Sequence, residues 1–469
     1  MKKIKYISIL SLLIVGLFLI FNEVFARPPF EGGGTIESPY LIETCEHLQY
    51  IANMGTSGDS YFKLNNNIDC SDTRNWNDGA GFIPIGYTYD YDTSTGYGSS
   101  FLGTFDGNNK TISGLYINRP TYSQVGLFGS ISNGGSDVVL IKDLTIENAD
   151  ITAYSSVGIL AGFVSGSTGD PNVISNVYTS GEVESTIVDT QNYNGTGGLI
   201  GVLWSSGIEI YDSRSSATVV GEDDHYIGGL VGFNYGSKIT NSYATGDVTG
   251  KDSVGGLVGY NNLGHIENTY ATGNVSGINN IGGLVGSNLG EDGVSLTIIN
   301  SYSSGNVSGT SVVGGLIGSD AGDKIYNSYS VGEVSGVGYV GGLIGALLYE
   351  ADNYNYSDYI LNSGWYKSGN NSELKGIGWT IENGDGEDVS YTESNPTAFY
   401  SKNHGIYKNA VEYDWEFDGN PWYEYRDNYP KLTEPDRRSN PSHSNRSSGS
   451  SIGAISTFYQ EQYQRALAV

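Results

Sequence analysis

The sequence predicts an all-β protein, a right-handed parallel β-helix (β-solenoid) of about nine rungs with N- and C-terminal caps. Two elements that recur together carry this prediction. After each copy of a five-residue glycine block, an isoleucine is followed two residues later by Asn or Asp, as in Ile239/Asn241 and Ile266/Asn268. Units this short bury their apolar side chains only against their neighbours, which produces a stack of coils. The block, Gly-Gly-Leu-Val/Ile-Gly, begins at Gly197, Gly228, Gly255, Gly282, Gly314 and Gly341.

Residues 1–26 are predicted to be an export signal. Lysines stand at positions 2, 3 and 5, an uncharged apolar run covers residues 7–21, and Val24-Phe25-Ala26 suits cleavage. A retained membrane anchor is the alternative, but the run is shorter than the roughly 20 residues that a spanning helix needs. No later stretch is apolar enough to span, so the mature chain is expected to be secreted or located at the cell surface.

Residues 27–105 lack the glycine block and are predicted to form the N-terminal cap, with a short helix and the first strands. The helix is expected from Thr44 to Gly55. Thr44 can cap its first turn, Leu48 and Ile51 have helical spacing, and Gly55 can end it. A helix at this end would protect the first strand edge of the stack.

Two cysteines, Cys45 and Cys70, lie within this cap. In the oxidising environment of an exported protein they can form a disulfide. Closing a loop of this length would add roughly 3 kcal/mol to the free energy of unfolding. Two buried thiols are the alternative.

Residues 106–360 are predicted to form the solenoid. Its regular unit repeats every 27 residues from Gly228 to Gly282 and contains three short extended pieces with Gly or Asn at the corners. Stacked units align identical side chains, so we expect apolar ladders in the core and asparagine amides that bond from rung to rung. The ladders are Leu230, Leu257, Leu284, Leu316 and Leu343; Ile239, Ile266, Ile298 and Ile325; and Asn241, Asn268, Asn300 and Asn327.

A tyrosine column follows the asparagines. Strict alternation along a strand would turn these side chains inward with the isoleucines. A bend at the asparagine would instead turn them outward, where they could form an aromatic groove for glycans. The sequence leaves both orientations open for Tyr178, Tyr243, Tyr270, Tyr302 and Tyr329.

The glycine block stops after Ile360, and residues 361–434 are predicted to form the C-terminal cap. Large aromatic side chains concentrate there, among them Trp365 and Trp379, as expected where the end of an apolar core must be covered. A carbohydrate-binding surface is the alternative. Residues 435–469 are predicted to be a flexible tail with one short helical stretch, because Ser, Asn and Arg dominate its first half.

No catalytic, cofactor-binding or metal site is predicted. The chain lacks the His-Glu-x-x-His motif of zinc proteases, the Gly-x-Ser-x-Gly motif of serine hydrolases and the phosphate-binding loop of nucleotide-binding proteins. Calcium is a weak candidate at Asp90-Tyr-Asp92 and at Asp385-Gly-Glu-Asp388. Both segments lack the complete Asp-x-Asp-x-Asp-Gly spacing, so solvated acidic turns are expected.

The net charge of −28 disfavours nucleic acid and anionic membrane surfaces as partners. Insertions near residues 185–196, 291–295 and 349–359 break the repeat period. In solenoids such insertions lie outside the coil and often carry binding. Drift in loops without a function is the alternative for these insertions. A glycan or a host-matrix surface is the kind of ligand expected of an adhesive module, and the oligomeric state stays open.

The unit Gly-Gly-Leu-Val-Gly-x-Asn, followed by Ile-x-Asn-Ser/Thr-Tyr-Ala-Thr-Gly-x-Val-x-Gly, is almost intact at residues 228–250 and 255–277. It resembles the GLUG repeat, and the likeness extends over roughly residues 125–345. Proteins of that family are mostly exported or surface-attached, and include adhesin-like proteins and the non-catalytic part of immunoglobulin-A-specific metalloproteases. The resemblance implies a surface or secreted protein and brings no catalytic residue, because the zinc motif of the protease members is missing.

The leading functional hypothesis is a secreted or cell-surface β-solenoid that acts as an adhesive, binding or structural module without catalysis. The alternative is a polysaccharide-active β-helix enzyme, a lyase or a hydrolase. Such enzymes place carboxylate and basic residues on one outer face of the coil, and fold alone does not distinguish the two functions.

Overall fold

The computed structural model confirms the predicted fold class. Strands account for most of the described chain, and successive rungs pair through parallel strands, as in a β-helix. No helix in the described part of the chain is long and apolar enough to cross a membrane. The predicted signal peptide, most of the predicted C-terminal cap and the tail lie outside the described residues. These are 28–133, 138–167, 171–187, 194–290, 296–321, 324–348, 360–361, 363–366, 374–380, 391–393, 422–423 and 431–432.

The described N-terminal segment and first rungs contain one α-helix, two short 3-10 helices, and both short and long strands. The helices are α1 (Cys45–Met54), Ser71–Asn75 and Asn77–Gly79. The strands are β1 (Tyr40–Ile42), β2 (Tyr61–Leu64), β3 (Ile68–Asp69), β4 (Thr88–Asp90), β5 (Thr95–Tyr97), β6 (Thr104–Ser113), β7 (Tyr116–Val125), β8 (Phe128–Ser132), β9 (Leu140–Gly158), β10 (Ala161–Ser165) and β11 (Asn172–Ser185).

The following rungs consist of shorter strands. The first are β12 (Thr196–Gly197), β13 (Ile200–Trp204), β14 (Ile208–Tyr211), β15 (Arg214–Ser215), β16 (Thr218–Gly221), β17 (Ile227–Gly228), β18 (Val231–Tyr235), β19 (Lys238–Thr240), β20 (Tyr243–Ala244) and β21 (Val248–Gly250). Next come β22 (Asp252–Gly255), β23 (Val258–Asn262), β24 (His265–Glu267), β25 (Tyr270–Ala271), β26 (Val275–Ser276), β27 (Asn279–Gly282), β28 (Val285–Leu289), β29 (Leu296–Ile299), β30 (Tyr302–Ser303) and β31 (Val307–Ser308).

The last described strands lead into the predicted C-terminal cap. They are β32 (Val312–Gly314), β33 (Ile317–Asp320), β34 (Lys324–Tyr326), β35 (Tyr329–Ser330), β36 (Val334–Ser335), β37 (Tyr339–Leu347), β38 (Ile360–Leu361), β39 (Gly364–Tyr366), β40 (Lys375–Thr380), β41 (Tyr391–Glu393), β42 (Trp422–Tyr423) and β43 (Lys431–Leu432).

The helix α1 lies where the sequence places it. The Oγ1 atom of Thr44 accepts a hydrogen bond from the backbone N–H of His47 at 3.2 Å, which satisfies one of the unpaired donors of the first turn. Cys45, at the start of the helix, forms a disulfide with Cys70. Parallel stacking begins with β1 and β2, because β1 pairs with β2 and β2 with β6, so it starts ahead of residue 106.

Each regular rung contains five short strands, and the expected number of three was wrong. The second regular rung, for example, runs from β22 to β26. One additional break is the corner after Gly255, and the other is at Asn268, whose φ of 54° places it in the left-handed region. Asparagine enters this region more readily than most residues, so it bends the chain where glycine is absent.

The second glycine of each block allows two parts of the rung to approach closely. A Cβ atom on Gly256 would collide with the carbonyl oxygen of Gly283 and lie 2.8 Å from the Cβ of Ala271. Small side chains therefore fill the column that faces these glycines, until Trp365 occupies it at the far end and is fully buried. The column is Thr179, Ser215, Ala244, Ala271, Ser303 and Ser330.

The predicted leucine and isoleucine ladders are completely buried in the structure. The asparagine ladder forms a chain of side-chain hydrogen bonds. Nδ2 of Asn268 donates to Oδ1 of Asn241 at 3.2 Å, Asn300 donates to Asn268 at 3.1 Å, and Asn327 donates to Asn300 at 3.0 Å. The same residue type therefore bends each rung and links it to the next.

A second amide ladder, which the sequence analysis did not single out, runs through the buried corner after the glycine block. Nδ2 of Asn234 donates to Oδ1 of Asn261 at 2.8 Å, and Nδ2 of Asn261 donates to Oδ1 of Asn288 at 2.8 Å. Asn288 in turn donates to the carboxylate of Asp320 at 2.7 Å. All four side chains are fully buried, so these bonds satisfy polar groups that water cannot reach.

Candidate functional site

The tyrosine column does not form an exposed aromatic groove. The asparagine bend that precedes it is present, yet the rings of Tyr243, Tyr270, Tyr302 and Tyr329 are buried. Successive rings stack with centroids 4.4, 5.1 and 5.2 Å apart and planes within 9° of parallel. Stacking of this kind stabilises the contact between rungs, so the column is part of the structural framework.

A cation replaces one ring in the column. Strand register places Arg214 between Tyr178 and Tyr243. Its guanidinium carbon lies 4.7 Å from the ring centroid of Tyr178 and 5.7 Å from that of Tyr243, and Nη1 donates to the Tyr243 hydroxyl at 2.6 Å. The guanidinium carbon thus lies within cation–π range of both rings, which makes the cation compatible with the stack.

A separate group of aromatic side chains lies on the outer side of the coil, on strands β13, β18 and β23 and in the turn before β17. We call Trp204, Tyr226, Phe233, Tyr235 and Tyr260 the aromatic patch. Phe233 is fully buried beneath its neighbours, with its ring centroid 5.6 Å from that of Trp204 and 5.3 Å from that of Tyr260. Trp204 and Tyr235 lie 5.4 Å apart with planes 20° from parallel, and each is 38% exposed.

The β-helix does not require aromatic side chains at these positions. The register column that contains Trp204 and Tyr235 carries Ser132 and Ser165 in the preceding rungs and Asn262 in the next one. The fold therefore accepts small polar residues where this patch has large exposed rings. An exposed apolar cluster that packing does not explain is typical of a contact surface for a ligand.

Charged and polar side chains adjoin the patch next to Tyr226. Nδ1 of His225 lies 3.8 Å from the carboxylate of Asp252, and Nζ of Lys251 lies 3.6 Å from that of Asp223. This border offers both donors and acceptors for hydrogen bonds. A few such groups beside an apolar surface are typical of binding sites.

Asp224, in the same turn, is fully buried. Its carboxylate accepts a hydrogen bond from Oγ1 of Thr196 at 2.7 Å and another from the backbone N–H of His225 at 2.7 Å. Burial raises the pKa of the Asp224 carboxyl, against the opposing effect of these hydrogen bonds. Asp224 therefore holds the turn that precedes Tyr226 and does not face a ligand.

A charged cluster on another outer face is the nearest match to the enzyme hypothesis. Nζ of Lys142 lies 3.6 Å from the carboxylate of Asp106 and 3.4 Å from that of Asp143. Lys63 is 3.8 Å from the same Asp106 carboxylate, and the Tyr61 hydroxyl donates to it at 3.5 Å. The lysines compensate both carboxylates, and the cluster lies on β2, β6 and β9, away from the strands of the aromatic patch.

Metal-ligating side chains do not converge in the described part of the chain, where no group of three or more His, Cys, Asp or Glu could hold an ion. At the Asp90-Tyr-Asp92 turn, the Asp90 carboxylate accepts bonds from the Asp92 N–H at 3.1 Å and from Oγ1 of Thr93 at 2.8 Å. Hydrogen bonds within the turn thus already occupy these carboxylate oxygens. The other calcium candidate, Asp385 to Asp388, lies outside the described residues, and the absence of a cofactor stays a prediction.

Sequence reasoning missed Trp204 and Tyr235 and placed the binding residues in inserted loops. Half of the insertion at 185–196 and all of the insertions at 291–295 and 349–359 lie outside the described residues. A usable signal was nevertheless present: Trp204 and Tyr235 stand three residues after the last glycine of their blocks, where the next unit has Asn262. Such a departure from the repeat pattern identifies a residue that the fold does not need.

Comparison with known proteins agrees with the repeat assignment. The model of the GLUG motif matches residues 223–249 and 252–276. Halomucin of Haloquadratum walsbyi is 37% identical over 174 residues, which cover 37% of this chain and 2% of halomucin. A Gly-rich membrane protein of Evansella cellulosilytica is 33% identical over 175 residues, which cover 34% of this chain and 18% of that protein. The chain thus corresponds to a small part of the length of both relatives.

Solved structures of immunoglobulin A1 proteases also align with the chain. A crystal structure from Bacteroides ovatus has 19% sequence identity and a TM-score of 0.41, and the alignment covers 86% of this chain and 95% of the other. A second IgA1 protease structure has 17% identity and a TM-score of 0.39, and the alignment covers 62% of this chain and 21% of the other.

Proposed function

Since the chain is a GLUG-repeat protein with a β-helix fold, we propose that it is a secreted or cell-surface binding module that adheres to carbohydrate through the aromatic patch. The observation that carries the proposal is the parallel pair of exposed rings, Trp204 and Tyr235, at positions where neighbouring rungs have serine or asparagine. We propose no catalytic activity for this surface.

The chemistry of the patch suits sugars. Sugar rings combine apolar C–H faces with a rim of hydroxyl groups, so they pack on broad aromatic surfaces and need polar partners at the border. Trp and Tyr supply large rigid contact area at a low cost in conformational entropy. The side chains of His225, Asp252 and Lys251 supply donors and acceptors beside the rings.

Three observations support an extracellular location. The first 26 residues have the pattern of an export signal. The disulfide between Cys45 and Cys70 suits an oxidising compartment. The names of the two relatives, halomucin and a Gly-rich membrane protein, also fit the cell surface.

Binding of the purified chain to a panel of glycans and host-matrix proteins tests the proposal. Trp204→Ala and Tyr235→Ala should each weaken binding to the selected glycan by about tenfold or more, the range expected for a central aromatic contact. Tyr211→Ala is the matched control, because Tyr211 is a partly buried tyrosine on β14, whose strand face differs from that of the patch. Equal affinity in all variants, with thermal midpoints unchanged, would refute binding at the patch.

Analysis of the polysaccharides after the same binding experiment distinguishes the enzyme alternative. New reducing or unsaturated ends from a neutral or acidic polysaccharide would reveal cleavage. If Asp106→Asn then abolished that cleavage while leaving the thermal midpoint in place, the cluster around Lys142 would be the active site and the adhesive proposal would be wrong. Saturable binding without new ends supports the binding module.

A further inference from the structure

A second group of exposed aromatic side chains lies near the N-terminal end of the stack. The antiparallel strands β4 and β5 form a hairpin that extends from Thr88 to Tyr97. We call it the tyrosine hairpin. Tyr91 and Tyr97 are 38% and 44% exposed. The Tyr97 ring stacks on Tyr122 at 6.0 Å and 24°, and the Tyr91 ring lies 4.5 Å from that of Tyr154.

The hairpin is held firmly against the coil. Its strand β4 pairs with β7, with Tyr89 opposite Ser123 and Asp90 opposite Tyr122. The backbone N–H of Tyr91 donates to the carbonyl oxygen of Thr121 at 2.9 Å. The exposed rings therefore have fixed positions before any ligand arrives, which lowers the entropy lost on binding.

Strand register places the hairpin on the same outer face as the aromatic patch. The chain leaves the stack after Ile85 and returns at Phe101, and these residues bridge to Phe128 and Ile131 of β8. Between those two bridges lies Ser130, whose register column continues through β10 and β13 to Phe233 of β18. The chain thus leaves the stack at the column that contains the centre of the patch, and its strand β4 then pairs with β7.

The spacing of the two groups sets the size of a shared ligand. Three steps, from the rung of Ile85 and Phe101 to β8, to β10 and to β13, separate the hairpin from Trp204, the ring of the patch on the nearest rung. At about 4.8 Å per step, the separation along the β-helix axis is roughly 14 Å. A monosaccharide or disaccharide is too short to contact both groups, whereas a chain of several sugars can.

We propose that the tyrosine hairpin and the aromatic patch are two subsites for one linear, neutral polysaccharide chain that lies along the axis of the β-helix. This inference rests on the proposed carbohydrate-binding function. A neutral polymer fits the charge, because a chain with a net charge of −28 repels polyanions. Between the subsites the outer column carries Ser132 and Ser165, whose hydroxyl groups suit hydrogen bonding to sugars.

Affinity as a function of ligand length tests the inference. The probes are disaccharides and octasaccharides derived from xylan, mannan and β-glucan, measured by calorimetry on the full chain. The octasaccharide of the preferred series should bind at least about tenfold more tightly than the disaccharide, because the second contact is made within the same complex. The double variant Tyr91→Ala/Tyr97→Ala should remove this gain and leave the disaccharide affinity unchanged.

The patch double variant Trp204→Ala/Tyr235→Ala should weaken binding of both lengths, and Tyr211→Ala should weaken neither. If the hairpin variant binds the octasaccharide as tightly as the unchanged protein does, the second subsite is refuted while the proposed function stands. If no oligosaccharide binds the unchanged protein, both the second subsite and the proposed carbohydrate-binding function are refuted. Tighter binding of polygalacturonate than of every neutral octasaccharide would overturn the ligand class. Because the ratio between two ligand lengths is measured on one preparation, partial misfolding of a variant does not mimic the expected result.

Discussion

Substitution of Asn261 by leucine gives a direct test of the buried amide ladder. Asn261 is fully buried and takes part in three side-chain hydrogen bonds. It donates to the carbonyl oxygen of Gly264 at 3.0 Å and to Asn288 at 2.8 Å, and it accepts from Asn234 at 2.8 Å. Leucine has the same number and branching of heavy side-chain atoms, although its methyl groups make it larger, and it can form none of these bonds.

The expected loss of stability follows from these contacts. A neutral hydrogen bond contributes about 1 kcal/mol net, and an acceptor left unsatisfied in the interior costs more. Three broken bonds therefore cost about 3 kcal/mol, and the apolar leucine side chain offsets a part of this loss. Asn234 keeps its second bond, to the Ser237 carbonyl oxygen at 3.1 Å, which limits the damage in that rung. We expect the free energy of unfolding to fall by about 2–3 kcal/mol.

Asn262→Leu is the control, because it makes the same chemical change one position along the chain. Asn262 points to the outer side, and the next rung already has Leu289 in its column. Its cost should stay within about 0.5 kcal/mol. Equilibrium denaturation of both variants, followed by far-UV circular dichroism, measures the difference. Since a repeat array need not unfold in two states, midpoints are compared with one probe. Equal midpoints for the two variants would refute the assigned role of the ladder.

Three further predictions concern the cap, the glycine block and the buried carboxylate. Cys70→Ser should lower the free energy of unfolding by roughly 3 kcal/mol, because the disulfide to Cys45 closes a loop across a separation of 25 residues. A reductant should lower the thermal midpoint of the unchanged protein but not that of the variant. Gly256→Ala should cost about 1–3 kcal/mol or more through overpacking, whereas Gly33→Ala, whose nearest contact would be 3.7 Å away, should be nearly neutral in the same thermal melt. Burial raises the pKa of the Asp224 carboxyl in the folded protein, so folding favours the protonated carboxyl. The contribution of this carboxyl to the free energy of unfolding is therefore fully present below the unfolded pKa of about 4, and it is lost as the pH rises through the folded pKa. Asp224→Asn should therefore gain stability relative to the unchanged protein between pH 4 and 8, and a constant difference across that range would contradict the raised pKa.

The repeat pattern predicted the architecture because the residue type of each column recurs with a short period along the sequence. Leucine and isoleucine recur at the same place in every unit, so stacking aligned them in the core. The asparagine amides bond from rung to rung, as at Asn268. The predicted number of three strands per rung was wrong, because the left-handed backbone at Asn268 depends on how the corner packs and not on the periodicity.

By itself, the sequence determined the class of fold, the composition of the core columns and the ladder of asparagines, since all three follow from which residues recur every 27 positions. Only the tertiary structure decided that four of the five tyrosines in the column are buried, that Arg214 lies between two rings of the column, and that Trp204 and Tyr235 form an exposed pair. The reason is physical. Residues in one column are a whole rung apart along the chain but only about 4.8 Å apart in space. The position of the hairpin that carries Tyr91 relative to the patch likewise follows from the register between strands and not from its place in the sequence.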